Sequence, residues 1–102
     1  MRNLFFLLLF LPLSLFAQST FTISGTVKDS QGEPVAFANV VLNTNNKYAV
    51  TDENGKFKIT RVSSGSYELK VSYLGYETYT QKIDVQRNLD VNIVLKESAE
   101  TL

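Results

Sequence analysis

Tyr67-Glu68-Leu69-Lys70-Val71-Ser72-Tyr73 is the stretch that decides the fold class, because its side chains change character at every step. On an extended chain, Tyr67, Leu69, Val71 and Tyr73 fall on one side, and Glu68, Lys70 and Ser72 on the other. A strand with one apolar face needs a second layer to bury it, and the neighbouring sequence supplies one. Downstream of Leu74-Gly75 the chain returns as Tyr76 to Val85, with Tyr79, Ile83 and Val85 on one face. Gln86-Arg87-Asn88 turns it again, and Leu89, Val91, Ile93 and Leu95 form a last apolar face. Lys96 to Leu102 reads as a polar, frayed tail.

The same period runs upstream. Arg61-Val62-Ser63-Ser64-Gly65 reads as a loop, preceded by Phe57 and Ile59 alternating with Lys56, Lys58 and Thr60. Asp52-Glu53-Asn54-Gly55 reads as a hairpin turn back to a short strand over Tyr48 to Thr51, since Asn and Gly both tolerate positive φ. Asn43 to Asn46 is a polar turn after Ala38, Val40 and Leu42. Asp29 to Pro34 closes a first strand whose inward residues are Phe21, Ile23, Gly25 and Val27. About seven short strands with regular turns predict an all-β fold, a seven-stranded antiparallel Greek-key β-sandwich. Helical periodicity is absent from this region.

The first residues read differently. Met1-Arg2-Asn3 is followed by an apolar run from Leu4 to Phe16 and then Ala17-Gln18. A basic start, a short apolar core and a small exit residue describe a cleaved signal peptide over residues 1–17. The run is shorter than the roughly 20 residues a spanning helix needs. The expected division is therefore a signal peptide at 1–17, a β-sandwich at 18–96 and a polar tail at 97–102, in an exported, periplasmic protein. Its formal net charge is zero before cleavage. That lacks the basic excess a nucleic-acid binder needs.

Three blocks carry a family resemblance. Gly25-Thr26-Val27-Lys28-Asp29 with Gly32-Glu33-Pro34-Val35 and Ala38-Asn39-Val40 resembles the opening of the carboxypeptidase-regulatory-like domain, a transthyretin-like or Ig-like sandwich. Thr51-Asp52-Glu53-Asn54-Gly55-Lys56-Phe57 is similar to its second signature, and Gly65-Ser66-Tyr67 with Val71 to Tyr76 to its third. The motif residues Gly25, Gly32, Pro34, Asp52, Asn54, Gly55, Phe57, Gly65, Tyr67, Gly75 and Tyr76 read as scaffold. Gly25 suits the close approach of another backbone, and Gly32, Gly55 and Gly65 suit turns of positive φ. The rings of Tyr73 and Tyr76 are expected to plug one end of the sandwich.

The resemblance also implies a setting: the N-terminus of a TonB-dependent outer-membrane receptor of the Bacteroidetes, ahead of plug and barrel. A barrel of many strands, each about 9–11 residues, does not fit in 102 residues. The expectation is the N-terminal part of a truncated receptor, touching the membrane only through a barrel absent from this chain. Its partner would be a protein, either the receptor plug and barrel or a periplasmic component, met on the strand Asp90 to Lys96 and the tail. The alternative is a free-standing structural or adhesive sandwich, with exposed Tyr48 and Tyr76 open to glycan. Tyr67 and Tyr73 are expected in the core by strand parity.

The residues do not offer a reaction. Histidine and cysteine are both missing from the sequence, which removes the usual zinc ligands, the commonest general base and the strongest nucleophile. Ser63, Ser64 and Ser66 lie in a turn with no positioned base. Asp52 to Gly55 has part of a calcium loop, but Lys56 and Lys58 follow where further oxygens would be needed. A Lys28–Asn92 cross-link promoted by Glu68 would need a buried lysine, and parity points all three outward. No catalytic residue, metal or cofactor is expected.

Overall fold

The computed structural model describes residues 19–43 and 46–99. The expected signal peptide, Thr44 and Asn45 of the polar turn, and residues 100–102 of the tail lie outside that range. Seven strands follow one another: β1 (Thr20–Asp29), β2 (Asn39–Leu42), β3 (Lys47–Val50), β4 (Lys56–Ser63), β5 (Gly65–Ser72), β6 (Tyr79–Val85) and β7 (Leu89–Leu95). They form a three-stranded sheet in the order β4-β1-β7 and a four-stranded sheet in the order β3-β2-β5-β6. This is the all-β, seven-stranded sandwich that the alternation predicts.

The inward residues follow parity. Ile23 and Val27 on β1, Val40 and Leu42 on β2, Leu69 and Val71 on β5, and Ile93 and Leu95 on β7 are all buried. Each such side chain contributes about 1.5–3 kcal/mol by leaving water. Tyr67 is buried with them, its hydroxyl donating to the Ser63 carbonyl at 2.6 Å.

All pairings are antiparallel except one. β1 and β7 run parallel, in register from Ile23↔Leu89 to Asp29↔Leu95. The reason is arithmetic: the chain reverses at every turn, so odd-numbered strands share one direction, and β1 and β7 are neighbours. The odd-numbered strands also finish together. The β1–β2, β3–β4 and β5–β6 connections and the chain leaving β7 therefore gather at one end of the sandwich, the exit end.

Three expectations need correction. The turn at Asp52–Gly55 does not join a two-stranded hairpin, because β3 pairs with β2 and β4 with β1, in different sheets. The Asp52 amide donates to the Lys56 carbonyl at 2.8 Å and closes the turn itself. Just beyond, Thr51 turns its backbone to Phe37 and Ala38 instead. The supposed loop at Arg61–Gly65 is mostly strand. Phe21 pairs with Val62 but Ile23 with Ile59, so β4 carries one extra residue, with Arg61 at φ 59°. That bulge flips the parity and buries Val62 completely. Finally, the tail is not frayed from Lys96. The Glu77 amide donates to the Lys96 carbonyl (2.8 Å) and the Ser98 amide to the Gly75 carbonyl (2.9 Å). The end of the three-stranded sheet is thereby strapped to the β5–β6 connection of the other.

Candidate functional site

The exit end is built on one device used twice. In the Asp29–Glu33 turn, the Gly32 amide donates to the Asp29 carbonyl (3.0 Å) and the Asp29 amide to the Glu33 carbonyl (2.8 Å). The Asp29 carboxylate accepts from the amides of Gln31 and Glu33, both at 2.9 Å. The Asp52–Lys56 turn repeats every bond: Gly55 to Asp52 at 2.9 Å, Asp52 to Lys56 at 2.8 Å, and Asn54 and Lys56 to the Asp52 carboxylate. Both carboxylates are thus occupied as turn caps. Among the described residues, no group of three or more carboxylates could hold a metal.

The second turn packs onto the first. The Val27 amide donates to the Gly55 carbonyl at 2.7 Å, and the Val27 carbonyl accepts from Val35 at 2.9 Å. A Cβ on Gly55 would lie 2.5 Å from that carbonyl and 3.2 Å from Pro34. Gly25 serves the other close approach: any side chain there would collide with the Val91 carbonyl and the ring of Phe57, its partner across β4.

Thr51 is the one buried polar side chain among the described residues. Its hydroxyl accepts from the Ala38 amide (2.8 Å) and donates to the Val35 carbonyl (2.7 Å), while its carbonyl accepts from Phe37 (2.9 Å). Those bonds clamp the backbone on both sides of Phe37. Held there, Phe37 takes the left-handed conformation, φ 65°, and the residue is 61% exposed. A large aromatic residue that is both strained and in water has no stability reason to be there.

Beside it, Tyr73-Leu74-Gly75-Tyr76 makes a type II turn. Tyr76 donates to the Tyr73 carbonyl at 3.1 Å, and Gly75 supplies φ 91°. Leu74 stands at the tip, 94% exposed. The expected burial of Tyr73 fails here, because β5 ends at Ser72 and strand parity ends with it. The residue is 39% exposed, and its ring leans on Tyr76 with centroids 5.9 Å apart. Tyr76 is partly buried. Desolvation first, then the carboxylates of Asp29 and Glu97 and the neighbouring Tyr73, hold its phenol above the ordinary value.

Phe37, Asn39, Ser72, Tyr73 and Leu74 line one shallow depression. Asn39 pairs with Val50, and Tyr48 lies two residues back on the same outward face of β3. Of the large exposed apolar side chains among the described residues, only Val94 lies away from this belt. Exposed apolar side chains gathered around one depression, with Asn39 and Ser72 between them, are suited to a protein contact. Val94 marks the outward face of β7, where a contact was expected, but Asp90 and Asn92 beside it are polar.

The structure gathers most of the sequence-read motif residues. Pro34, Asp52, Asn54, Gly55, Gly75 and Tyr76 meet at the exit end with Gly32, while Gly25 and Phe57 touch inside the three-stranded sheet. Gly65 and Tyr67 lie at the opposite end, where a Cβ added to Gly65 would meet the Tyr67 ring at 3.8 Å. The parts played by three residues escaped the sequence reading: exposed Phe37 and Leu74, and buried Thr51 behind them. The visible signal for the first was Val35-Ala36-Phe37-Ala38, where alternation fails without a turn residue to explain it.

Comparison with known proteins places these features in a family. The model of the CarboxypepD_reg-like domain matches residues 23–102. The TonB-dependent receptor SusC of Bacteroides thetaiotaomicron is 35% identical over 94 residues, 92% of this chain but 9% of that protein. The TonB-dependent receptor P39 of Formosa agariphila is 30% identical over 80 residues, 78% of this chain and 7% of that protein. The chain thus spans less than a tenth of either relative. Among solved structures, a cohesin–X–dockerin complex from Acetivibrio cellulolyticus superposes with a TM-score of 0.68. It is 27% identical, over 76% of this chain and 58% of the other.

Proposed function

The chain belongs to the CarboxypepD_reg-like domain family, a non-catalytic accessory domain, and on that premise we propose that it is the N-terminal, periplasm-facing module of a TonB-dependent outer-membrane receptor. The observation that carries this reading is the extent of the likeness. The family match begins within β1 and continues past β7, so the whole sandwich is shared and not a single turn motif. Residues 1–17 serve export in this reading, and the domain closes at Ser98, where the last strap bond is made.

The module acts through protein contacts at its exit end. Phe37, Tyr73 and Leu74 face outward there, and the backbone leaves β7 at the same end. The polypeptide that follows such a domain in a receptor is therefore the partner nearest to hand, and we assign the apolar belt to it. Cell fractionation with an antibody against the folded domain tests the reading. The expected result is an outer-membrane polypeptide many times longer than 102 residues. A short polypeptide in the soluble periplasmic fraction, with no longer form, would refute it and favour a free-standing sandwich.

A further inference from the structure

We infer that Asn54 is a site of covalent self-modification, which the folded turn holds off and which, once made, keeps the domain from closing again. Of the asparagines in the sequence, Asn54 alone is followed by glycine. With no Cβ on that glycine, its main-chain nitrogen can approach the asparagine side chain closely. The Gly55 nitrogen gives its proton to a solvent base and bonds to Cγ of Asn54. The Cγ–Nδ2 bond breaks, and ammonia leaves. Water then opens the five-membered ring at either carbonyl, giving an aspartate linked to Gly55 through its main chain or through its side chain. Solvent is the only other reactant.

The fold blocks the first step. Asp52 takes the amides of three successive residues: Asn54 (2.8 Å) and Lys56 (2.9 Å) on its carboxylate, and Gly55 (2.9 Å) on its carbonyl. The attacking nitrogen is thus already committed as a donor, in a buried residue. The Gly55 carbonyl is fixed as well, by the Val27 amide at 2.7 Å. The same fit excludes the side-chain-linked product. That linkage adds one atom to the main chain just before Gly55, where the Val27 carbonyl and Pro34 leave no room to shift. The sister turn supplies the contrast. Gln31 precedes Gly32 there, and its amide makes the same bond to the Asp29 carboxylate at 2.9 Å. Glutamine is one methylene longer, so the equivalent attack must close a six-membered ring, a slower reaction. This chemistry is the same whichever polypeptide adjoins the domain, so a failed test would leave the receptor reading untouched.

Ageing the purified protein at mildly alkaline pH, once in buffer and once in guanidinium chloride, tests both halves. The tryptic peptide Tyr48–Lys56 contains no other asparagine and no glutamine. A gain of about 1 Da in it therefore reports Asn54 alone. The expected result is a reaction at least about tenfold slower in the folded protein than in the unfolded chain. After dilution out of denaturant, the side-chain-linked form should be confined to chains that fail to refold. Asn54→Gln, which copies the sister turn, should refold after the same ageing with a severalfold greater yield than the wild type. The first two readings need no variant, so they decide the matter even if Asn54→Gln folds poorly. Equal rates in the two solvents would overturn the protection. Side-chain-linked chains in the refolded fraction, or equal loss of refolding in Asn54→Gln, would overturn its consequence.

Discussion

A Cβ atom added to Gly55 would stand 2.5 Å from the carbonyl oxygen of Val27. That oxygen cannot retreat, because it accepts the Val35 amide at 2.9 Å while the Val27 amide is bound to Gly55 itself. Gly55→Ala thus combines a left-handed backbone, φ 77°, with a collision against main chain. Its expected cost is about 2–4 kcal/mol. Gly32 occupies the equivalent place in the sister turn at φ 85° with nothing within 4 Å of its missing Cβ. Gly32→Ala then carries only the conformational term, about 1 kcal/mol. Urea denaturation of both variants decides the point, and equal losses would show that the close approach to Val27 is immaterial.

Thr51→Val keeps the shape of the side chain and removes its hydroxyl. The Ala38 amide is then buried without a partner, and the Val35 carbonyl loses its donor. A cost of about 2–3 kcal/mol follows. Thr51→Ser keeps both bonds and should lose about 1 kcal/mol, the worth of one methyl group. A shift in urea midpoint that is the same for Val and Ser would mean that the hydroxyl does not hold the Val35–Ala38 segment.

The raised phenol of Tyr76 makes a prediction about alkaline stability. A group whose proton is held more tightly in the folded state contributes stability that is fully present below its unfolded value, 10.0. That contribution is lost as pH rises through the folded value. Wild-type protein should therefore weaken faster than Tyr76→Phe above about pH 10, while both behave alike near neutrality. Thermal melts across that range test the sign. Parallel pH curves for the two proteins would count against a phenol raised by desolvation and by the nearby carboxylates of Asp29 and Glu97.

Much of this architecture was legible because every strand but β3 has one dry face. Tyr67, Leu69 and Val71 in β5 and Ile93 and Leu95 in β7 are buried where period two puts them. What escaped depends on contacts distant in sequence or on a single residue out of step. The Asp52–Gly55 turn closes as its residues demand, yet its flanking strands part because Thr51 binds Phe37 and Ala38. Arg61 adds one residue to β4 and sends Val62, read as loop, into the core. Tyr73 lies one position past the end of β5, where alternation no longer rules. The spacing Asp-x-x-Gly at both 29–32 and 52–55 was there to be read, and it marks two copies of one turn.

Phe37 offers the last test, because here stability and presentation pull in opposite directions. Its left-handed backbone costs about 1–2 kcal/mol in any residue with an ordinary side chain. The residue is 61% exposed and returns little by burial. Asparagine tolerates the same conformation, so Phe37→Asn should stabilise the domain by about 0.5–1 kcal/mol, seen as a higher urea midpoint with an unchanged slope. If the ring is held out to meet the receptor polypeptide, the same substitution should weaken that contact even though the domain itself is firmer. Site-specific photo-crosslinking from Leu74, compared with and without Phe37→Asn in the full-length receptor, reads the second half. A variant that is less stable by more than about 1 kcal/mol would make Phe37 a packing residue after all. Unchanged crosslinking in a stabilised variant would instead remove it from the contact surface.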